Sequence, residues 1–209
     1  MQILLIAATE QEVGPFIATN SFIDILISGA GVPSTIYHLQ KRMHQIDYDL
    51  IIQAGIAGTY NLNINPGQTV LVKQDCFGDL GMEEKEKFMP IFESGLADKN
   101  EFPFSNGWLV NTHDILKRFN LPAVTALTVN KVSDSELQRQ QLIKQFNADI
   151  ESMEGAALHF VCLQENIPFI QLRSISNYAG ERDKTKWLMK EAIHNLNTEL
   201  SRLIKGFTN

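Results

Sequence analysis

The sequence is poor in the features that mark secreted, metal-binding and membrane proteins. Only two cysteines, Cys76 and Cys162, occur among 209 residues, and they are far apart and match no metal-ligand spacing. This usage excludes a disulfide framework and is typical of reduced thiols in a cytoplasmic protein. The opening MQILLIAATEQEV is apolar only briefly and then turns acidic. We therefore expect a cytoplasmic protein without a signal peptide or a membrane span.

Positive charge is also scarce. Lys and Arg number 18 against 24 Asp and Glu, which gives a formal net charge of −6. An acidic chain is repelled by nucleic-acid phosphates and by anionic lipids, so we expect neither nucleic acid nor membrane as a partner. No repeat, low-complexity tract or linker divides the sequence, and its length suits one domain covering residues 1–209.

Apolar runs alternate with helical patterns along the chain. The runs predict buried strands at residues 2–8, 22–28, 50–54, 69–72, 123–129 and 168–174. Helices are predicted between them, among them one that Pro33 opens, a short one at 112–119, one that starts at Ser133-Asp134-Ser135, and an amphipathic one at 184–204. Such alternation predicts an α/β fold around a mostly parallel sheet.

Residues 75–106 show no clean period and mix charge, Gly, Pro and Phe. A structureless loop of this length is uncommon in a compact domain, so we interpret the segment as an insertion with a functional or oligomeric purpose. Phe102 and Phe104 flank Pro103. They could cover a ligand or a neighbouring subunit, although local packing is the more common role of such aromatic residues.

Polar side chains follow two strands near the end of the chain. Glu154 lies between Met153 and three very small residues, and Asn177 follows the strand predicted at 168–174. Ligands of open α/β sheets bind where strands end, which favours both residues as site candidates. For Glu154 an alternative stays open, because the helix dipole favours a glutamate in a first turn.

A third candidate, Glu12, lies in the acidic first turn that follows Thr9. Helix capping explains a glutamate there as well. Glu12 differs from Glu10 because Val13 and Phe16 adjoin it, which places it on the apolar side of the helix.

The second predicted strand runs into Ser28-Gly29-Ala30-Gly31. A glycine loop of this kind allows backbone N–H groups to approach an anion or a sugar closely. It lacks the third glycine of the dinucleotide fingerprint, and a tight strand-to-helix turn explains it equally well.

Five motifs, in order, carry a resemblance that covers nearly the whole chain. They are IAATEQEV, SGAG, QAGIAGT, SMEGAA and LRSISN, which start at residues 6, 28, 53, 152 and 172. With these motifs the chain resembles the nucleoside phosphorylase and hydrolase superfamily, and most closely its methylthioadenosine and adenosylhomocysteine nucleosidases. The resemblance implies a single-domain three-layer α/β sandwich with a central mixed, partly barrel-like sheet, as in purine nucleoside phosphorylase. It also implies a homodimer or larger homo-oligomer that needs neither cofactor nor metal.

The resemblance assigns roles to individual residues. Glu12 occupies the position that activates water, and Arg173 matches an arginine close to the nucleophile. Glu154 occupies the position that binds the ribose hydroxyls, with Met153 beneath the sugar. Substrate-binding positions also include Ser28 of the SGAG motif and Gly58 of the QAGIAGT motif.

The implied chemistry suits these residue types. An N-ribosidic bond breaks through an oxocarbenium-like transition state, so a carboxylate such as Glu12 must take a proton from water. A donor must stabilise the departing purine, and Asn177 is placed for that role. Water activation and leaving-group assistance each give about 10²–10⁴-fold. Nucleoside and water are the expected partners.

Two residues depart from the nucleosidase pattern. Asn177 replaces the aspartate of the adenine-releasing enzymes, and Ile56 replaces a serine. Asparagine serves the 6-oxopurine phosphorylases at the corresponding place. Together with the GERD run at 180–183, Trp187 and the GDLG run at 78–81, the change resembles the superfamily branch that hydrolyses futalosine and releases hypoxanthine on a route to menaquinone.

Arg182 is then a candidate to bind the carboxyphenyl group of futalosine, as are lysines of the 75–106 segment, with its phenylalanines as an apolar wall. The structural alternative makes Arg182 an exposed residue, Asp183 the cap of the last helix and Trp187 part of the core.

Three alternative functions stay open at this point. An adenine-releasing nucleosidase is disfavoured by Asn177, and a phosphorylase is disfavoured by Glu12, which would repel phosphate. A non-catalytic binding or storage protein on the same fold is disfavoured because Glu12, Glu154 and Arg173 are all present.

Overall fold

A computed structural model describes residues 1–20, 22–85, 87–132 and 136–208. The strands are β1 Ile3–Ala7, β2 Asp24–Ile27, β3 Leu50–Thr59, β4 Thr69–Asp75, β5 Gly81–Glu84, β6 Lys87–Pro90, β7 Leu109–Val110, β8 Ala123–Thr128, β9 Ile150–Ser152 and β10 Phe169–Tyr178. The α-helices are α1 Glu10–Ile17, α2 Val32–Met43, α3 Glu136–Phe146, α4 Gly155–Gln164 and α5 Met189–Thr208. Two 3₁₀ turns cover Asp114–Arg118 and Lys184–Lys186.

The main sheet closes on itself around β3. One edge of β3 pairs in parallel with β10 over nearly its whole length, while the other edge pairs first with β1 and then with β9. Strand β9 continues through β8 and β4 back to β10. Five strands thus form a ring, β1 and β2 extend it, and β7 flanks β4. The prediction of a mixed, partly barrel-like sheet is confirmed.

Alternating side chains of the strands divide the core into layers. Leu5 and Ile52 pack with α1 and α5, whereas Leu4 and Ile6 pack with α2 and α4. Within the ring, a third cluster joins small and branched residues, among them Ala57, Val70, Val72, Ile150 and Ile175. Each fully buried aliphatic side chain stabilises the fold by about 1.5–3 kcal/mol. Helix layers on both faces of the sheet confirm the predicted three-layer sandwich.

Strands β3 and β10 extend beyond the predicted ends at residues 54 and 174. Both continue because the glycine-rich half of β3 stays paired with β10, with Gly55 opposite Arg173 and Gly58 opposite Asn177. A Cβ at Gly55 would lie 2.4 Å from Nη1 of Arg173, so the absence of a side chain makes room for the guanidinium group. QAGIAGT thus lies wholly within strand β3.

Several helix predictions also change. The short helix predicted at 112–119 is a 3₁₀ turn capped by His113, and the helix predicted from 184 is a 3₁₀ turn followed by α5. Strand β4 continues to Asp75. The predicted helix start at Ser133-Asp134-Ser135 lies outside the described residues. Within the described chain, no helix combines the length and apolar character that crossing a bilayer requires.

The 75–106 segment is not structureless, since β5 and β6 pair as an antiparallel ribbon within it. Phe104 packs against Phe92 and Phe160, at ring distances of 5.0 and 6.0 Å. Phe102 is 66% exposed. Local packing therefore accounts for Phe104 but not for Phe102.

Candidate active site

A cavity of about 330 Å³ opens where β3, β9 and β10 end and α1 and α4 begin. Most of the residues singled out from the sequence line it, namely Glu12, Gly58, Met153, Glu154, Asn177 and Arg182. We call Glu12, Glu154 and Asn177 the buried wall, since each is less than a tenth exposed. Arg182 and Trp187 form the exposed rim.

Glu12 is held by three donors although it lines the cavity. Its Oε2 accepts hydrogen bonds from the Thr9 amide and hydroxyl, each at 3.0 Å, and its Oε1 accepts one from the Ile56 amide at 3.1 Å. The capping role expected from the sequence is confirmed, and the same side chain lines the cavity, as the predicted site role requires. A carboxylate offers about four lone-pair positions, so acceptor capacity remains for a water molecule.

Glu154 occupies the N-cap position of α4, but its side chain makes no capping bond and faces the SGAG loop instead. The Gly31 amide donates to its Oε1 at 3.0 Å, with Gly31 in the left-handed region at φ 88°. Nη1 of Arg173 lies 3.7 Å from its Oε2. The sequence made the N–H groups of this glycine loop candidates to bind an anion or a sugar. In the structure the Gly31 N–H binds Glu154 of the protein itself.

Arg173 and Ser28 lie behind the cavity lining. Arg173 is 1% exposed, donates from Nη2 to Oε1 of Gln53 at 2.8 Å, and donates from Nη1 to the Ile56 carbonyl at 3.4 Å. Its Nε has no partner among the described residues. The Ser28 hydroxyl bonds to backbone carbonyls of Ala7 and Gly29. In this structure both residues support the lining from behind.

Asn177 follows an irregularity in the pairing of β10 with β3. The Ser176 hydroxyl donates to its Oδ1 at 2.7 Å, and its Nδ2 donates to the Tyr178 carbonyl at 2.8 Å. A carbonyl can only accept, so this contact fixes which end of the amide is the NH₂ group. One amide hydrogen remains for a ligand.

The exposed rim combines a cation with an aromatic face. Cζ of Arg182 lies 5.8 Å from the Trp187 ring centroid, and Nε1 of Trp187 donates to the Glu181 carbonyl at 2.9 Å. Trp187 is half-buried, and with Met189 and Ile193 it lines the cavity. Apolar lining at this end of the cavity thus comes from residues near the start of α5, and no phenylalanine of the 75–106 segment is among the described lining residues.

Asp183 is a cap, as the alternative expected, but of the 3₁₀ turn Lys184–Lys186 and not of the last helix. Its carboxylate accepts from the Thr185 amide at 3.0 Å and hydroxyl at 2.6 Å, which caps the 3₁₀ turn. These bonds hold its pKa below the usual range. Trp187, in contrast, belongs to the cavity lining and not to the core clusters.

One carboxylate of the cavity, that of Glu151, was not predicted from the sequence. Glu151 is 8% exposed, lines the cavity, and accepts a hydrogen bond from the Tyr60 hydroxyl. Burial raises the pKa of Glu151, which the bond from Tyr60 and the charge of Arg182 oppose. The available signal was a charged residue beside Ile150 in a three-residue strand, which alone predicts only a surface position.

A buried polar network lies under the start of α4. Asp75 accepts from the Thr128 hydroxyl at 2.9 Å and from Nε2 of Gln171 at 3.2 Å, and Thr128 Oγ1 accepts from the Ala156 amide at 2.7 Å. Burial raises the pKa of Asp75 to about 7. Among the described residues, no three His, Cys, Asp or Glu side chains are grouped to hold a metal ion.

Comparison with known proteins identifies the family of this chain. Residues 19–209 match the family model of the phosphorylase superfamily. The chain belongs to the phosphorylase superfamily. A futalosine hydrolase of Thermus thermophilus is 32% identical over 153 residues, which is 72% of this chain and 67% of that protein. A 5'-methylthioadenosine/S-adenosylhomocysteine nucleosidase of Buchnera aphidicola is 25% identical over 190 residues, which is 87% of this chain and 76% of that protein.

Solved structures give the same fold. The native structure of futalosine hydrolase from Helicobacter pylori superposes with a TM-score of 0.80 at 17% identity and covers 99% of this chain and 98% of that one. At this identity the superposition speaks for the fold alone. The superfamily that the sequence motifs indicated is confirmed, whereas the roles of single residues stay predictions.

Proposed function

We propose that this protein is a nucleosidase that hydrolyses the N-ribosidic bond of futalosine and releases hypoxanthine. The observation that carries the proposal is the buried wall, where two carboxylates and one amide donor share a single cavity. The similarity to the Thermus futalosine hydrolase supports the choice of substrate. We further propose that the reaction serves the futalosine route to menaquinone in the cytoplasm, and that the single domain works as a homodimer or larger homo-oligomer.

The first chemical step falls to Glu12. Its carboxylate accepts from three protein donors and keeps acceptor capacity, so it can take a proton from an attacking water. Because the Thr9 and Ile56 amides belong to α1's start and to β3, the position of the carboxylate is fixed before substrate binds. Such preorganisation lowers the reorganisation required as charge develops.

Charge develops on both halves of the nucleoside as the bond breaks. Glu154 supplies negative charge and acceptor atoms for the ribose hydroxyls, next to the positive charge that forms on the sugar. The free N–H of Asn177 donates to the purine, which gains electron density as it leaves. Ser176 and Tyr178 hold that amide in one orientation.

Hydrolysis is favoured over phosphorolysis by the charge of the lining. Among the described residues that line the cavity, Arg182 is the cation, and it lies on the exposed rim. The buried wall carries Glu12 and Glu154, which repel a phosphate ion. Water is the nucleophile that this surface suits.

A base-release assay tests the proposal. Purified protein would be incubated with futalosine, inosine and methylthioadenosine, each with and without phosphate, and the free base and sugar product identified. We expect hypoxanthine and a free sugar from futalosine, with no dependence on phosphate. Release of adenine alone, or formation of a sugar 1-phosphate, would contradict the proposal.

Adenine release is the second candidate, because the Buchnera relative is a nucleosidase whose name refers to adenine nucleosides. Asn177 argues against it, since its NH₂ group is the end left free and adenine presents an amino donor beside N7. The same assay separates the two candidates.

A further inference from the structure

Glu151 has no role in the chemistry described above, yet its side chain lines the same cavity. Glu151 is not a surface residue, since only 8% of it is exposed. A carboxylate is costly to bury unless polar partners compensate for lost water. Tyr60 compensates for one of its two oxygens, so the other is free to accept from a ligand in the cavity.

Strand pairing aligns Glu151 with the base-recognising residue. Gly58 of β3 pairs with Glu151 of β9 on one side and with Asn177 of β10 on the other. Neighbouring strands lie about 4.8 Å apart, so the backbones of Glu151 and Asn177 are separated by about 10 Å. Gly58 lies between them without a side chain and also lines the cavity. The row thus has an amide at one end and a carboxylate at the other.

Tyr60 fixes which atoms of Glu151 remain available. Its hydroxyl donates to Oε2, and burial raises the pKa of Tyr60 far above its usual value, so the phenol stays a donor. Among the described residues, no hydrogen-bond partner is recorded for Oε1. Glu151 therefore presents an acceptor, and Asn177 presents a donor, on opposite sides of Gly58.

We propose that Glu151 is a specificity-determining residue that accepts the N1–H of a 6-oxopurine, while Asn177 donates to O6 or N7. This inference rests on the proposed function. A 6-oxopurine presents acceptors at O6 and N7 and a donor at N1, which matches both ends of the row. Adenine presents an acceptor at N1, so the acceptor oxygen of Glu151 would face a second acceptor.

Glu151→Gln is the decisive variant. The glutamine carbonyl can still accept from Tyr60, and its NH₂ group can donate to N1 of adenine. We expect kcat/KM for futalosine, relative to that for its 6-amino analogue, to fall at least about tenfold, as expected when a site loses one matched polar contact. Glu83→Gln, at an exposed residue of β5, is the matched control and should leave the ratio unchanged.

A purely structural role for Glu151 predicts a different result. Both substrates would then lose the same factor, or the melting temperature would fall while the ratio stayed constant, and either outcome overturns the inference. If Glu151→Gln does not fold, Glu151→Asp replaces it, since the shorter side chain keeps the charge but withdraws it from the base. A constant ratio in folded Glu151→Asp likewise overturns the inference.

Binding of free bases separates this inference from the proposed function. Calorimetry on the wild type should show hypoxanthine binding more tightly than 1-methylhypoxanthine, which lacks N1–H, and Glu151→Gln should reduce that difference at least about threefold. If futalosine is not cleaved but this difference appears, the proposed function fails and the role of Glu151 stands. If futalosine is cleaved and methylation at N1 has no effect on binding, the role of Glu151 fails alone.

Discussion

The buried wall and the exposed rim of the cavity are built in contrasting ways. Glu12 and Glu154 accept hydrogen bonds from backbone amides, and Asn177 is held by its two chain neighbours. Arg182, in contrast, is exposed and contacts the face of Trp187. The wall is therefore held by hydrogen bonds within the protein, while the charged side chain of the rim is exposed to water.

This difference suggests that the wall contributes to bond cleavage and the rim to substrate binding. Bond cleavage requires atoms fixed before the reaction, because reorganisation during the reaction adds to the barrier. Recognition of a distant substrate group tolerates mobility, and an exposed ion pair contributes only about 0.2–1 kcal/mol. Substitutions in the wall should thus act on chemistry, and substitutions in the rim on affinity.

The largest effect is expected from Glu12→Gln. Removing the charge removes the base that takes a proton from water, so kcat for futalosine should fall at least about 10²-fold. KM should change little, because the amide oxygen can still accept from Thr9. The melting temperature should fall modestly, because the NH₂ group then faces the Ile56 amide, another donor. Steady-state kinetics measures both constants. Glu10→Gln, in the same turn but exposed, is the control, and a Glu12→Gln enzyme near wild-type rate would refute the assignment.

Asn177→Asp should change base preference. We expect the wild type to prefer 6-oxopurine over adenine nucleosides by at least about tenfold, and the variant to narrow or invert that preference, because an ionised aspartate faces acceptors only. The ratio of kcat/KM for futalosine to that for its 6-amino analogue measures this preference in both proteins. Asn63→Asp, at an exposed position, controls for added charge. An unchanged ratio in the folded variant would remove Asn177 from base recognition.

A smaller effect should follow Arg182→Ala at the rim. We expect KM for futalosine to rise about two- to fivefold with kcat unchanged, since an exposed ion pair with the substrate carboxylate is worth about 0.2–1 kcal/mol. Inosine, which lacks the carboxyphenyl group, should be unaffected. Lys186→Ala in the adjoining turn is the control. Equal losses for both nucleosides would show that Arg182 does not bind the carboxyphenyl end.

No effect is expected from phosphate. The two carboxylates of the buried wall should keep phosphate from the nucleophile position, so millimolar phosphate should leave the rate of base release unchanged. Chromatography of the sugar product provides the readout. A rate that rises with phosphate, together with a sugar 1-phosphate, would mean that the wall admits phosphate after all.

The sequence predicts what depends on local pattern. Apolar runs place β1 and β8, and the alternation of strands and helices indicates the fold class before any motif is used. Glu12 and Glu154 are recognisable because their motifs keep the order of a known superfamily. These features depend on residues that are neighbours along the chain.

Features that depend on distant pairing were not predictable. Strand β3 continues through Gly55 and Gly58 because β10 supplies its hydrogen-bond partners, and a glycine-rich stretch alone predicts a turn. The amide of Gly31 is directed to Glu154 across 123 positions. Glu151 becomes a cavity residue only because β9 inserts between β3 and β8.

Folding changes the protonation of two buried groups in opposite directions. One is Asp75 of the network under α4, and the other is His159 of α4, whose Nδ1 lies 2.9 Å from the Leu109 carbonyl oxygen. Burial raises the pKa of Asp75 from 3.8 to about 7, so folding takes up a proton there, and the stability that this group contributes is lost as pH rises from about 4 to 7. Burial lowers the pKa of His159 from 6.5 to about 4, so folding releases a proton there, and its contribution is lost as pH falls from 6.5 to about 4.

Between pH 4 and 6.5 the two linkages offset each other, and these groups together leave the free energy of unfolding nearly independent of pH. Asp75→Asn should expose the histidine's slope, with stability rising over that range by up to about 3 kcal/mol relative to the wild-type profile. His159→Gln should leave only the contribution of Asp75, so stability should fall over the same pH range. The opposing linkages of Asp75 and His159 thus limit the pH dependence of stability around α4, the helix that Glu154 precedes.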